Sequence, residues 1–190
     1  MASVVDICNR ALQKLGAERI ISLTQDSVSA RACNLAYTQV RDAELRAHTW
    51  NFAIKRAEIA ADATAPVYGY SYAYTLPADC LRLLKNDHQE NYYSNNWKVE
   101  GRKIITDESA PLPIRYVARI TDSTEYDALF VEALSSKLAY ELCEELTQSN
   151  TKKQSAADDY KLAIREARKI NAFENVPAEQ ETDTWLTVRI

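Results

Sequence analysis

The side chains best suited to chemistry in this chain are two histidines, His48 and His88, and four cysteines, Cys8, Cys33, Cys80 and Cys143. A metal centre needs such ligands at short, regular spacings, but the cysteines lie 25, 47 and 63 residues apart and form no CxxC pair. HExxH, GxSxG, GxGxxG and GxxxxGK[ST] are also missing, so the common metal, acyl-transfer and nucleotide signatures do not occur. His48 falls near the end of a helical stretch, where a cation would meet the negative end of the helix dipole, and His88 falls in the polar turn NDHQEN. Both read as structural. No catalytic residue, cofactor site or metal site is expected.

Paired carboxylates are the next candidates for chemistry. Glu144 with Glu145, and Asp158 with Asp159, are sequence neighbours. On a helix, adjacent residues point about 100° apart, so neither doublet can flank a single scissile bond as a glycosidase pair must. They read as solvated faces, with Asp158 and Lys161, or Glu166 and Lys169, as i,i+3 ion pairs. Tyrosines 68, 70, 72, 74, 92 and 93, with Trp97, could stack on bases or sugars. Stacking on nucleic acid also needs cations, and no Lys or Arg lies between Pro66 and Asp79, so cross-strand packing or a protein interface is the better reading.

Composition narrows the field in the same direction. The chain has 190 residues, 27 acidic against 23 basic side chains and a formal net charge of −4. Tight binding to nucleic acid or anionic lipid draws on a cationic footprint that this balance does not supply. With three glycines and five prolines there is little from which to build a phosphate-cradling loop, and no apolar stretch is long enough to span a membrane. Scattered cysteines without motif spacing fit a reducing compartment.

The elements that must position these residues follow from periodicity. Val4, Ile7, Cys8, Ala11, Leu12 and Leu15 recur at helical spacing between a capping Ser3 and a terminating Gly16. A longer helix, capped by Asp26 or Ser27, carries Val28, Ala32, Leu35, Ala36, Val40, Ala43, Ala47 and Trp50 on one face, with Cys33, Tyr37, Leu45 and His48 beside them. An apolar arc that wide implies two partners, a helical layer on one side and a neighbouring element or subunit on the other. From about Asn51 to Ile120 the helical period gives way to short β-branched and aromatic runs at 52–60, 70–76, 80–86, 97–101, 103–106 and 112–120. Gly101 and Arg102 form a two-residue hairpin turn, and Pro113 marks an edge or the start of its strand. Helical order returns with Thr124 as N-cap, then Leu129, Phe130, Ala133, Leu134, Leu138, Leu142, Cys143 and Leu146. The short break QSNTKK forces an antiparallel partner carrying Ala157, Tyr160, Ala163, Ile164, Ala167 and Ile170. The expected fold is α+β: a four-helix bundle from 1–50 and 121–172, an inserted antiparallel β domain at 51–120, and an extended C-terminal arm at 173–190.

Several stretches, in order, resemble one family. DICNRALQKLGAERIISLTQDS, then WNFA after the second helix, then YTLPADCLRLL, WKVEGRKIIT and IRYVARITDSTEYDALFVEALSSKLAYELCEELTQS are similar to the tail tubular protein A family of short-tailed double-stranded DNA phages and related prophage head-to-tail adaptors. The likeness covers roughly residues 4–172. It implies a non-enzymatic virion component of the tail or neck, assembled in the host cytoplasm as a ring of typically twelve copies. Such a ring lies between the portal protein and the tail tube or nozzle, and DNA passes through its lumen at ejection without sequence-specific binding. On that reading Trp185, Leu186, Val188 and Ile190 of the arm, with Tyr37 and Leu45, are the expected contacts to portal or to a neighbouring subunit. Two other classes stay open at this point. Some phage tail components resemble cell-wall hydrolases, which would use Glu141, Glu145 or Asp158 in a cleft, and a DNA-binding regulator would bind duplex with a steep salt dependence.

Overall fold

The structure, a computed structural model, describes residues 2–84 and 97–174. Helix α1 (Val4–Leu15) begins where the sequence places it: Ser3 Oγ accepts from the Asp6 amide at 3.1 Å, and the Asp6 carboxylate accepts from the Ser3 amide at 2.9 Å. Two orphan donors are thereby satisfied at once. It ends at Gly16, whose φ of 67° lets its N–H reach back to the Gln13 carbonyl at 3.1 Å. Helix α2 (Val28–Ala47) is capped by Ser27, and α3 (Ala128–Thr147) is joined to α4 (Asn150–Phe173) by Gln148 and Ser149 alone. Gln148 takes the left-handed conformation (φ 50°) and Ser149 accepts from the Lys152 amide, so one helix is closed and the next opened within two residues. The antiparallel hairpin of α3 and α4 follows from that tight turn.

The start of α3 differs from expectation. Thr124 is not its N-cap. Instead Asp122 Oδ1 accepts from the Thr124 amide (2.9 Å) and hydroxyl (2.7 Å), holding Ser123–Glu125 in a 3-10 turn. Asp127 then caps α3 by accepting from the Leu129 and Phe130 amides at 2.8 and 3.2 Å. A carboxylate meets the positive end of the helix better than a neutral hydroxyl does, which is why the aspartates take both capping roles.

Among the described residues six strands lie between α2 and α3: β1 (Ile54–Ile59), β2 (Tyr72–Thr75), β3 (Cys80–Leu84), β4 (Trp97–Glu100), β5 (Lys103–Thr106) and β6 (Leu112–Ala118). They form two antiparallel three-stranded sheets, ordered β1-β6-β3 and β2-β5-β4. β4 and β5 make the expected two-residue hairpin, with Glu100 opposite Lys103 and positive φ at both Gly101 and Arg102. β6 is central in its sheet, yet Pro113 is only its second residue, and the ladder to β3 begins two residues later at Arg115. The missing amide hydrogen is therefore placed at the start of the strand.

Helix α3 is the hub of the helical part, packing against α1, α2 and α4. Phe130, Ala133, Leu134, Leu138, Ala139, Leu142 and Cys143 are buried on it, and so are Ser135 and Ser136. A Glu132 carboxylate ties it to Arg10 and Lys14 of α1. Where the helices meet the β region, Phe130 sits within 5.0–5.2 Å, ring centre to ring centre, of Trp50, Phe52 and Tyr126. Truncating Phe130 to Ala should destabilise the fold by about 3–5 kcal/mol through the cavity it leaves. Asp127→Ala should cost about 1 kcal/mol and more than Thr124→Ala does, measured as shifts in the urea midpoint.

Candidate interaction surfaces

The residues with chemical potential are dispersed and largely neutralised by the fold. His48 ends α2 as its C-cap residue, but it is not the dipole-bound cation expected there. Burial, then the Arg168 and Arg82 charges, hold its pKa below the ordinary histidine value, so the ring is neutral near pH 7. Its Nε2 lies 3.3 Å from Asn171 Nδ2 of α4. His88 lies outside the described residues. All four cysteines are buried and unbridged. The Cys8 thiol is pushed up by its neighbour Cys33 and by burial, which makes it a poor nucleophile. Among the described residues no group of three or more His, Cys, Asp or Glu side chains is placed to hold a metal ion.

The carboxylates considered for hydrolysis are exposed and mostly engaged. Glu141 pairs with Lys137 at 2.8 Å, and Asp158 pairs with Lys161 at 3.0 Å, the i,i+3 contact expected. Glu144 binds Lys153 across the α3–α4 turn, while Glu145 lies exposed on α3. Asp159 borders a cleft of about 340 Å³ between the end of α1, α3 and α4, where Lys152 donates to the Leu15 carbonyl at 2.9 Å. The geometry does not bring Glu141, Glu145 and Asp158 into that cleft.

The tyrosine run divides between β2 and the loop that precedes it. Tyr74 is buried and donates to the Glu108 carbonyl at 2.7 Å, with Tyr72 beside it at 6.4 Å. Tyr68 and Val67 instead stand exposed in the loop before β2, Val67 at 98%, and line a concavity of about 710 Å³. Lys98 lies over the Tyr70 ring at 6.0 Å. Trp97 is half-buried, and Tyr92 and Tyr93 lie outside the described residues.

Of the expected interface residues, Trp185, Leu186, Val188 and Ile190 also lie outside the described residues. Tyr37 and Leu45 do not reach the surface: they are 4% and 0% exposed. Both belong to the face of α2 formed by Ala30, Cys33, Val40, Arg41 and Glu44, which the chain covers itself. Arg41 and Glu44 are on that buried face because each has a polar partner within reach. Arg41 binds Asp42 at 2.8 Å, and Glu44 accepts from the Tyr160 hydroxyl at 2.8 Å. The apolar residues left outside are Val28 and Leu35, seven positions apart on α2 and the latter 73% exposed, with Ile21 just before them. On α4 they are Leu162, Ile170 and Phe173, the last 72% exposed. The seven-residue interval of Val28 and Leu35 was the available signal, but the same stripe contained Ala32 and Val40, which are buried.

A polar joint fixes these surfaces relative to one another. Asn171, near the end of α4, donates to the Thr49 carbonyl at 2.9 Å and accepts from the Asn51 amide at 2.9 Å. Asn51 in turn donates to the Asn171 carbonyl (2.9 Å) and to Glu174 (2.8 Å). Four directed bonds thus clasp the end of α4 to the link between α2 and β1.

Compared with known proteins, the chain matches no family model, and no curated protein matches it significantly. No helix among the described residues is long and apolar enough to cross a membrane.

Acidification should destabilise the fold through His48. Its folded pKa is depressed, so as pH falls the unfolded chain takes up its proton first, near the ordinary value of about 6.5, and folded stability drops from there downward. Removing one neighbouring cation with Arg168→Gln should raise the His48 pKa and shrink that loss, read by NMR titration of the ring and by urea unfolding at pH 7 and pH 5.

Proposed function

We propose that the chain is a structural head-to-tail adaptor of a short-tailed double-stranded DNA phage. In this reading the four helices form an adaptor bundle, the β region is an insertion that projects from it, and the residues after α4 are an arm. A ring of this chain, twelve copies by the family resemblance, joins the portal to the tail tube or nozzle and leaves the genome free to pass. The observation that carries the reading is the pair of apolar outer faces on α2 and α4. Each helix has already buried one face inside its own subunit, and yet Leu35 and Phe173 remain about three-quarters exposed. Large exposed apolar side chains on two separate helices are what a head-to-tail ring contact requires, since each subunit must offer two different flanks.

The sequence resemblance supports the same reading, and so does the disposition of the carboxylates on α3 and α4, which are tied to lysines instead of facing one another. The net charge of −4 suits a conduit that does not hold the duplex by neutralising its phosphates.

Leu35→Asp and Phe173→Asp should leave the isolated chain folded, with stability changed by less than about 0.5 kcal/mol, because both side chains are exposed. When the protein is mixed with portal rings of the same phage, negative-stain images should show a collar beneath the portal for the unaltered chain and none for either variant. Absence of a collar with the unaltered chain would overturn the adaptor reading. So would release of peptidoglycan fragments that stops with Glu141→Gln, which would favour the cell-wall hydrolase reading instead.

A further inference from the structure

Strand β1 lies at the edge of its sheet. Its ladder runs to β6, from Ile54 opposite Val117 to Ile59 opposite Leu112, and β6 is the element it chiefly packs against. Among the described residues no backbone hydrogen bond reaches β1 from its other side. Two other edge strands are treated differently. On β2 the Asp62 amide donates to the Ala73 carbonyl at 2.8 Å and the Asp62 carboxylate accepts from the Thr75 amide at 3.2 Å, while on β3 the Arg46 side chain takes the Leu81 carbonyl. A strand whose amides and carbonyls are unpaired on one side is a template for another strand.

The side chains on that edge decide which strand fits. Lys55, Ala57 and Ile59 share one face of β1, and Ile54, Arg56 and Glu58 share the other. Ala57 and Ile59 lie opposite the buried Ile114 and Leu112 and pack half-buried against the core. Arg56 and Glu58 are exposed, two residues apart and opposite in charge. Charges along an edge discourage pairing with most strands, but an antiparallel partner carrying the reverse order sets each charge against its opposite. A second copy of β1 is such a partner. In a closed two-fold pair the axis stands perpendicular to the sheet, so residues on the same face meet and the two core faces stay continuous. Centring the pair on Arg56 would oppose two guanidiniums, and centring it on Glu58 would oppose two carboxylates. Centred on Ala57, each Arg56 faces the second copy's Glu58, the small Ala57 side chains meet on the axis, and each Ile59 faces the aliphatic stem of the second copy's Lys55. The Lys55 ammonium is drawn away across the sheet by Asp79, at 3.3 Å. We propose that two copies of the chain pair through their β1 edges, antiparallel and centred on Ala57, joining their three-stranded sheets into one. A six-residue ladder is far smaller than a standard interface, so the pair is weak and reversible, with a Kd on the order of 100 μM. It uses neither helical flank assigned to the ring, so a collar without the pair, or the pair without a collar, separates the two readings.

The test uses the full chain. Sedimentation equilibrium from about 10 μM to about 1 mM should show monomer passing to dimer. Arg56→Glu opposes carboxylates at both ends of the contact and should weaken the dimer about tenfold, and Glu58→Arg should do the same with guanidiniums. Both residues are exposed, so each variant stays folded. Mixed together, the two variants complement each other and should associate about as tightly as the unaltered chain. Ala57→Cys should form a covalent dimer under mild oxidation with diamide, since residues directly opposite have Cβ atoms about 5 Å apart. Lys55→Cys should not, because its two copies lie four residues out of register, at least about 13 Å apart. The four native thiols are buried and give no background. A chain that stays monomeric to the top of the concentration range, a dimer indifferent to Arg56→Glu, or equal cross-linking from both cysteines would overturn the pairing. Loss of the dimer with Leu35→Asp but not with Arg56→Glu would move the contact to the helical flank and overturn it as well. A monomer whose β1 amides are all slow to exchange would assign the edge to a segment of its own chain.

Discussion

A helix that is apolar on nearly every side cannot lie at the edge of a protein, and α3 imposes that constraint on everything around it. Burying Phe130, Leu134, Leu138 and Leu142 together with Ala133 and Ala139 requires partners on several sides, and α1, α2 and α4 supply them. The small buried residues allow those partners to approach closely. Ser135 satisfies its hydroxyl on the Glu132 carbonyl at 2.9 Å, so a polar residue is accommodated without opening the core. Each surrounding helix spends one face on α3. What remains on the far faces of α2 and α4 is consequently outward, and Leu35 and Phe173 stand largely exposed there.

The second organising feature is the joint between helices and sheets. The chain leaves α2 through Trp50 and Phe52 and returns to α3 through Tyr126, and all three rings converge on Phe130. Trp50 donates to the Glu44 carbonyl at 3.0 Å and Tyr126 to the Ile120 carbonyl at 2.9 Å, so neither polar tip is wasted by burial. Asp42 of α2 reaches both Arg41 and Arg119, at 2.8 Å each, and Arg46 binds the Leu81 carbonyl. With Asn171 clasping Asn51 as well, the β region is bonded to the helices at several points.

Periodicity made the element list legible. Among the described residues the four helices, the six strands and the Gly101–Arg102 turn follow from spacing, because local backbone preference and side-chain alternation act within a few residues. Local competition misled at the α3 start, where Thr124 and Asp127 both qualify as caps and the choice turned on a carboxylate against a hydroxyl, and at the α2 end, where the helix stops at Ala47 and Trp50 leads into a 3-10 turn before β1. The surface was less legible. Tyr37 and Leu45 are as apolar as Val28 and Leu35, and a helix with an arc that wide does not reveal which half its own core will claim.

The amino-acid sequence by itself determined the alternation of helix and strand, the lack of catalytic motif spacing and the acidic balance, since each is a property of residue identity and short-range order. Only the tertiary structure decided which apolar residues face outward, that His48 is held neutral, and that Arg56, Arg82 and Arg115 share one sheet face. Those outcomes depend on strands and helices separated by tens of residues being brought within a few ångströms, where burial and Coulomb interaction first act between them.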